Sequence, residues 1–346
     1  MDSITLSSGA KVPRLIKGGW QLAGGHGRVD PDAAIRDMFA FAEAGITAFD
    51  CADIYTGVEA LIGEFLRQWR AVHPTTPIRV HTKCVPDLNA LSSLTPADIN
   101  RIVDRSRRRL GVERIDLVQL HWWDYDVPGV VQAAEALLRL REQGALADIG
   151  LTNFDTQHMT DIVAAGIPIA THQVQYSLLD RRPAGALSQR ATEHGMALLC
   201  YGGVAGGFLS DRWLGAAAPA EPLENRSLTK YLLIIEEFGG WSLFQQLLHL
   251  LADIAHSLHA SIGSVAIRWV LDQPGVGSVI IGARNLSHLA ATRRALDIRL
   301  DPTHRQLLAA LLAQASGPTG DVYDLERVKG GRHAAIMRYN LNAATD

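Results

Sequence analysis

The chain has 346 residues, 47% hydrophobic and 20% charged, enough to bury the large core of a globular protein. Its 33 Lys and Arg against 36 Asp and Glu leave a net charge of −3, with no basic block suited to nucleic acid and no apolar run of the ~18 residues that a membrane span requires. Three cysteines without metal-ligand spacing, and a start (MDSITLSSGAKVPRLI) with neither the charge nor the apolar core of a signal peptide, argue against a disulfide framework and for a cytoplasmic protein.

In chain order, residues 3–7 and 11–15 flank Ser8-Gly9-Ala10 and predict a small hairpin. The first long-range strand is expected from Leu15 towards Trp20. Helical periodicity follows at 31–44, 57–72, 96–110, 128–143, 156–165, 184–195 and 284–296. Strand-like apolar segments alternate with it near 46–50, 78–83, 115–121, 146–152, 169–175, 196–201 and 276–281, and a further helix is read at 262–273. Asp30-Pro31 and Thr95-Pro96 are helix starts with Pro in the first turn. The four arginines of 105–109 stand at helical spacing and are expected to form a solvated face.

Residues 202–260 form the main insertion, with a Gly-rich start, an Ala/Pro-rich middle from Ala216 to Pro222 and an amphipathic stretch from Trp241 to Leu258. Segments of this size on a catalytic rim shape a binding site or lid. Residues 301–346 form a tail with one helical segment at 302–315 and Gly-rich irregular chain beyond it. Eight strands alternating with eight helices predict an α/β fold: a single (β/α)8 TIM barrel domain spanning 1–346, with an N-terminal hairpin, a rim insertion and a C-terminal tail.

Four polar residues close apolar runs or follow them directly. Asp50 ends Ile46 to Phe49, Lys83 ends Ile78 to Thr82, His121 ends Ile115 to Leu120, and Tyr55 lies just past the first of these. In a barrel the carboxyl ends of the strands converge on one rim. An acid, a phenol, an amine and an imidazole delivered there make a proton-transfer site. Cys51, Cys84 and Cys200 adjoin proposed site residues, and the two-residue period of strands turns them towards the helix layer.

The stretches FDCADIY (49–55), HTK (81–83), DLVQLHWWD (116–124), LTNFD (151–155), HQVQYSLLDRRP (172–183) and VIIGARN (279–285) occur in one order. With them the chain resembles the aldo-keto reductase family from about Lys11 to about Leu300. The resemblance implies carbonyl–alcohol interconversion, with Tyr55 as proton donor and Lys83 lowering its pKa. Asp50 would hold Lys83, and His121 would donate to the carbonyl oxygen. Relatives that reduce carbon–carbon double bonds carry Glu where this chain has His121, so carbonyl chemistry is expected.

The same resemblance implies NADP(H), with NAD possible. No Rossmann fingerprint is present, since Gly24-Gly25-His26-Gly27 lacks the spacing and the acidic partner. Asn153 and Gln173 would bind the nicotinamide carboxamide, and Tyr201 would stack on the ring. Gly202-Gly203 stands where the family has Ser-Pro, and backbone N–H groups there still suit phosphate. Gly282 and Arg284, read as lying at the start of the last barrel helix, suit a 2′-phosphate. His288, Ala291 and Thr292 replace the family's adenosine-holding Gln, Glu and Asn, which leaves NADP against NAD open. Trp20 and Trp122 would wall the substrate pocket, while Trp123 divides evenly between wall and core. The run Tyr323 to Arg327 and the Gly-rich chain at 329–331 are candidates to fold over it. The expected partner is a small carbonyl compound or sugar, with no metal, nucleic acid or membrane, on a monomer or homo-oligomer. Two alternatives remain: a cofactor-binding regulatory subunit on the same barrel, as in the cytoplasmic β-subunits of potassium channels, and an NAD-dependent sugar or alcohol dehydrogenase.

Overall fold

The computed structural model describes residues 2–342. A hairpin of β1 (Ser3–Thr5) and β2 (Lys11–Pro13) precedes a closed barrel of eight parallel strands paired in chain order. These are β3 (Leu15–Gly18), β4 (Ala48–Asp50), β5 (Arg79–Cys84), β6 (Ile115–Leu120), β7 (Leu146–Thr152), β8 (Thr171–Gln175), β9 (Ala197–Tyr201) and β10 (Val276–Gly282). The barrel closes where β10 pairs with β3, from Val279 opposite Leu15 to Gly282 opposite Gly18.

Helices α1 (Pro31–Glu43), α2 (Val58–Val72), α3 (Pro96–Leu110), α4 (Val130–Glu142), α5 (Thr156–Ala164) and α6 (Ala186–Glu193) follow successive strands. The insertion carries α7 (Arg226–Phe238) and α8 (Gly240–Ser257), then α9 (Ile262–Leu271) leads into β10. After β10 come α10 (Leu289–Asp297), α11 (Pro302–Leu312), α12 (Asp324–Arg327) and α13 (Arg332–Ala335). Among the described residues no single helix is long and apolar enough to cross a membrane.

Local chemistry sets the helix starts. The Asp30 carboxylate accepts from the N–H groups of Asp32 and Ala33, with Pro31 behind it, and Thr95 forms a reciprocal capping box with Asp98 ahead of α3. Strand periodicity then divides the core. Leu6, Val12, Ile16, Ala48, Leu117, Ala170, Leu199 and Ile280 pack together inside the barrel, where the hairpin plugs one end. The larger cluster lies between strands and helices and contains Cys51, Cys84 and Cys200. Burial pushes all three thiols up, which makes them inert packing groups at neutral pH.

Several elements depart from expectation. The first barrel strand stops at Gly18, and Trp20 begins a 3-10 turn (Trp20–Leu22). The insertion holds an additional helix, α7, whose buried face runs from Leu228 to Phe238. The last barrel helix starts at Leu289, five residues later than 284, because Asn285 Oδ1 captures the Ser287 N–H and turns the chain first. The tail is not wholly irregular after Leu312, since it forms α12 and α13. Nor is the arginine run of α3 a uniform solvated face. The Arg109 Nη1 donates to the Asp53 carbonyl at 3.0 Å, and Arg105 points to buried Asp53.

Three histidines lie buried in or beside the barrel interior: His81 on β5, His121 after β6 and His172 on β8. Burial is the main cause holding each near 3. An ordinary histidine titrates near 6.5 in the unfolded chain. Stability from these neutral rings is therefore complete above about 6.5 and drains as pH falls towards 3, by up to about 1.4 kcal/mol per pH unit and ring. Urea unfolding at pH 7, 5.5 and 4.5 should show a steeply falling midpoint. A flat profile across that range would mean that the three rings are not buried neutral.

Candidate active site

The register brings the strand-end residues to one rim. Asp50 lies opposite His81, Lys83 opposite Gln119, and the His121 N–H donates to the Cys84 carbonyl at 3.0 Å. The Lys83 ammonium donates to Asp50 Oδ2 at 2.7 Å and to the Cys51 carbonyl at 2.8 Å. Asp50 Oδ1 accepts from Gln173 Nε2 at 2.7 Å and Gln119 Nε2 at 3.0 Å, and Gln173 Nε2 also donates to Gln119 Oε1 at 2.9 Å. A buried carboxylate is thus satisfied on both oxygens, as burial of a charge requires. Burial opposes the charge on Lys83, but Asp50 more than offsets it, and the lysine stays protonated well above neutrality.

Tyr55 sits in the turn after β4. Its ring lies 5.1 Å from the Trp20 ring and 5.1 Å from the Lys83 ammonium. Burial pushes the phenol up, Lys83 pulls it down and Asp50 pushes it up again, so its pKa ends above that of a free tyrosine. Lys83 acts in the expected direction, but burial outweighs it. At neutral pH Tyr55 keeps its proton.

Among the described residues the His121 ring makes one hydrogen bond, between Nδ1 and the Thr152 carbonyl at 3.1 Å. Trp123 stands edge-on to it at 4.2 Å. Trp122 does not wall the pocket as expected. It is fully buried in the outer core, with its Nε1 donating to the Val127 carbonyl at 3.1 Å. With His121 facing inward, strand parity turns Trp122 outward and Trp123 inward.

Asn153 follows β7, Gln173 lies in the middle of β8 and Tyr201 ends β9, on three adjacent strands. The Tyr201 hydroxyl donates to Asn153 Oδ1 at 2.8 Å. Asn153 has φ 61, a left-handed conformation that asparagine tolerates better than other side chains, so the position suits this residue twice over. Gln173 lies deeper, with its Nε2 committed to Asp50 and Gln119. Gly202 has φ +77, and the Tyr231 hydroxyl packs so closely on it that no Cβ would fit. Gly282 is covered in the same way by the Gln21 carboxamide, and the Arg284 guanidinium rests on Gly27. Arg284 is exposed, in the loop ahead of α10, so the expected support from a helix start is missing.

The tail closes over this rim. Tyr323 stands edge-on to His121 at 5.6 Å, and Arg327 Nη2 donates to the Trp122 and Asn153 carbonyls, each at 2.9 Å. Glu326, buried, accepts from Arg182 at 3.1 Å and lies 3.6 Å from the Lys230 ammonium of α7. Lys230 is in turn 5.2 Å from the Tyr201 ring centroid. Gln119 and Lys230 escaped the sequence reading. Gln119 shares the face of Leu117 and His121 on β6, so strand parity could have found it; nothing local marks Lys230.

The barrel rim thus sets the Tyr55 phenol beside an ammonium that a buried carboxylate holds charged. Residues 14–313 match the Aldo/keto reductase family, and the chain belongs to it. It is an oxidoreductase of a family that acts on small carbonyl compounds with a nicotinamide cofactor. It is similar to the NADH-specific methylglyoxal reductase of Escherichia coli, 23% identical over 86% of this chain and 94% of that one. It is 28% identical to flagellar radial spoke protein 5 of Chlamydomonas reinhardtii over 64% of this chain, and spans about half (49%) of that protein. The fold is that of the glycerol dehydrogenase AKR11B4 from Gluconobacter oxydans, with TM-score 0.78, 24% identity and coverage of 92% and 98% of the two chains.

Proposed function

We propose that the protein is an NADP(H)-dependent oxidoreductase interconverting an aldehyde, ketone or sugar carbonyl and its alcohol, with Tyr55 as proton donor. The observation that carries this reading is the buried 2.7 Å Lys83–Asp50 pair beside the Tyr55 ring. In reduction the Tyr55 hydroxyl passes its proton to the substrate oxygen, leaving a phenolate that the Lys83 ammonium stabilises. Asp50 keeps Lys83 in place, and Gln119 and Gln173 keep Asp50 in place. When bound, the nicotinamide supplies or takes up the hydride.

The rim fits such a group. The Tyr201 ring and the Asn153 carboxamide form one hydrogen-bonded surface, suited to a flat amide-bearing heterocycle. Gln173 has only its carboxamide oxygen left for it. The Gly202-Gly203 backbone, Gly282 and Arg284 would hold the phosphates. A screen of aldehydes, ketones and sugars with NADPH and NADH tests the reading. No turnover with any of them, alongside tight cofactor binding, would favour a regulatory subunit instead.

NAD is the second reading, favoured by the exposed position of Arg284 away from a helix start and by the name of the NADH-specific relative. If Arg284 holds a 2′-phosphate, the charge-assisted pair contributes ~1.5–3 kcal/mol, or roughly ten- to a hundredfold in affinity. Arg284→Ala should then weaken NADPH by that factor and spare NADH. Equal losses for both cofactors would mark Arg284 as structural, and no loss would remove it from the phosphate site.

A further inference from the structure

Tyr231, on α7, lays its ring against the turn that follows β9. A Cβ on Gly202 would meet the Tyr231 hydroxyl first, then Cζ at 3.1 Å and Cε1 at 3.2 Å. A Cβ on Gly206 would meet Cδ2 of the same ring at 2.6 Å. Both glycines hold positive φ, +77 and +65, so the turn leaves its backbone uncovered and lets the phenol approach it. The Gly203 and Val204 N–H groups donate to no acceptor among the described residues. Successive free N–H groups in a turn form a concave site for an anion.

Tyr231 is only 7% exposed, yet its hydroxyl has no hydrogen-bond partner among the described residues. Burial first, then the neighbouring acids Asp180, Glu326 and Tyr55, push this phenol up, so at neutral pH it keeps its proton and can donate. Packing on glycine would be served as well by phenylalanine, which has no hydroxyl to desolvate. A buried phenol with nothing to bond is destabilising, and a ligand oxygen would offset that cost. The neighbouring strands give the place of that oxygen. Tyr201, whose hydroxyl donates to Asn153, directly precedes Gly202. Ile280 lies opposite Tyr201 in the register, with Gly282 and Arg284 just beyond it. The turn at Gly202 therefore stands between the surface suited to the nicotinamide and the loop suited to the adenosine side, where a dinucleotide carries its diphosphate.

We infer that Tyr231 is a cofactor-binding residue: its hydroxyl donates to an oxygen of the cofactor's diphosphate and completes, from α7, the cradle that the Gly203 and Val204 N–H groups offer from the backbone. Gly202 and Gly206 are then glycines because the phenol must lie on them to reach that oxygen. Tyr231 makes and breaks no covalent bond in this role. The inference rests on the proposed reading of the rim as a nicotinamide-dinucleotide site.

The test measures dissociation constants of NADPH, NADH and ADP-ribose for the wild type and for Tyr231→Phe, the first two by fluorescence quenching and the third by calorimetry. The substitution keeps the ring on both glycines and removes only the hydroxyl. All three ligands carry the diphosphate, so each should bind about tenfold more weakly to Tyr231→Phe, the scale of one hydrogen bond to a charged oxygen. Arg284→Ala should by contrast single out NADPH. Unchanged binding in Tyr231→Phe overturns the inference, and so does tighter binding, which would make the hydroxyl an obstruction. A loss confined to NADPH moves the hydroxyl to the 2′-phosphate, and a loss that spares ADP-ribose moves it to the nicotinamide half; either overturns the assignment to the diphosphate. A wild type that binds none of the three fails the reading of the rim itself, and this inference with it. Should Tyr231→Phe not fold, a crystal structure of the wild type with ADP-ribose decides: Tyr231 Oη within hydrogen-bond distance of a diphosphate oxygen upholds the inference, and any greater separation overturns it.

Discussion

Tyr55→Phe is expected to cut turnover by at least ~10²-fold, the scale of general acid catalysis. The ring remains, so its packing on Trp20 and the fold should persist, and cofactor binding followed by fluorescence quenching should hardly change. Near-wild-type turnover in this variant would remove Tyr55 from the chemistry. Lys83→Met probes the same proton from the other side. Lys83 is the charge that pulls the Tyr55 pKa down against burial, so without it the phenol must titrate higher. Activity should largely vanish, and the limb of the pH–rate profile that belongs to Tyr55 should move to higher pH. The substitution also strips Asp50 of its cationic partner while Gln119 and Gln173 still donate to it, so residual activity should be read only in protein shown to be folded.

The second large effect is expected at Glu326. This carboxylate is buried, and although burial pushes it up, Lys230 and Arg182 more than offset that and hold it at about 2. Arg182 also grips Asp180, with Nε to Oδ1 at 3.0 Å and Nη2 to Oδ2 at 2.8 Å. Removing one member of such a set leaves buried cations without a counter-charge and costs about 3–5 kcal/mol. Glu326→Ala should therefore unfold at markedly lower urea. The loss should centre where the carboxylate joins the tail to α7, so amides of 323–335 and 226–238 should exchange faster. Unchanged urea midpoint and exchange would mean that the ion set does not hold the tail. The pH dependence has a definite sign. A folded-state pKa depressed from the usual 4.5 contributes stability that is present above about 4.5 and lost as pH falls through 2.

The barrel and the strand-end residues were legible in the sequence for a local reason. Parallel strands buried on both faces read as short apolar runs, and the polar residue that ends each run falls on the rim whatever the rest of the chain does. Asp50, Lys83 and His121 are such residues, and the helix starts at Asp30-Pro31 and Thr95-Pro96 rest on neighbours within one turn. Gln119 was within reach of the same logic, as was the exchange of Trp122 for Trp123, because both follow from strand parity.

What only the tertiary structure decided depends on groups far apart in the chain. Helix α7 follows an Ala/Pro-rich stretch and is stabilised by packing under the tail, where Arg226 donates to the Ile336 carbonyl. The ion set joins Arg182 to Glu326, 144 residues away, and no local pattern announces a pair of that span. The position of Arg284 turned on whether Asn285 would cap a turn or let the helix begin. The His121 Nδ1 meets the Thr152 carbonyl on the next strand, 31 residues on, so the sequence by itself determined that an imidazole reaches the rim, while the barrel register determined which backbone carbonyl orients its ring.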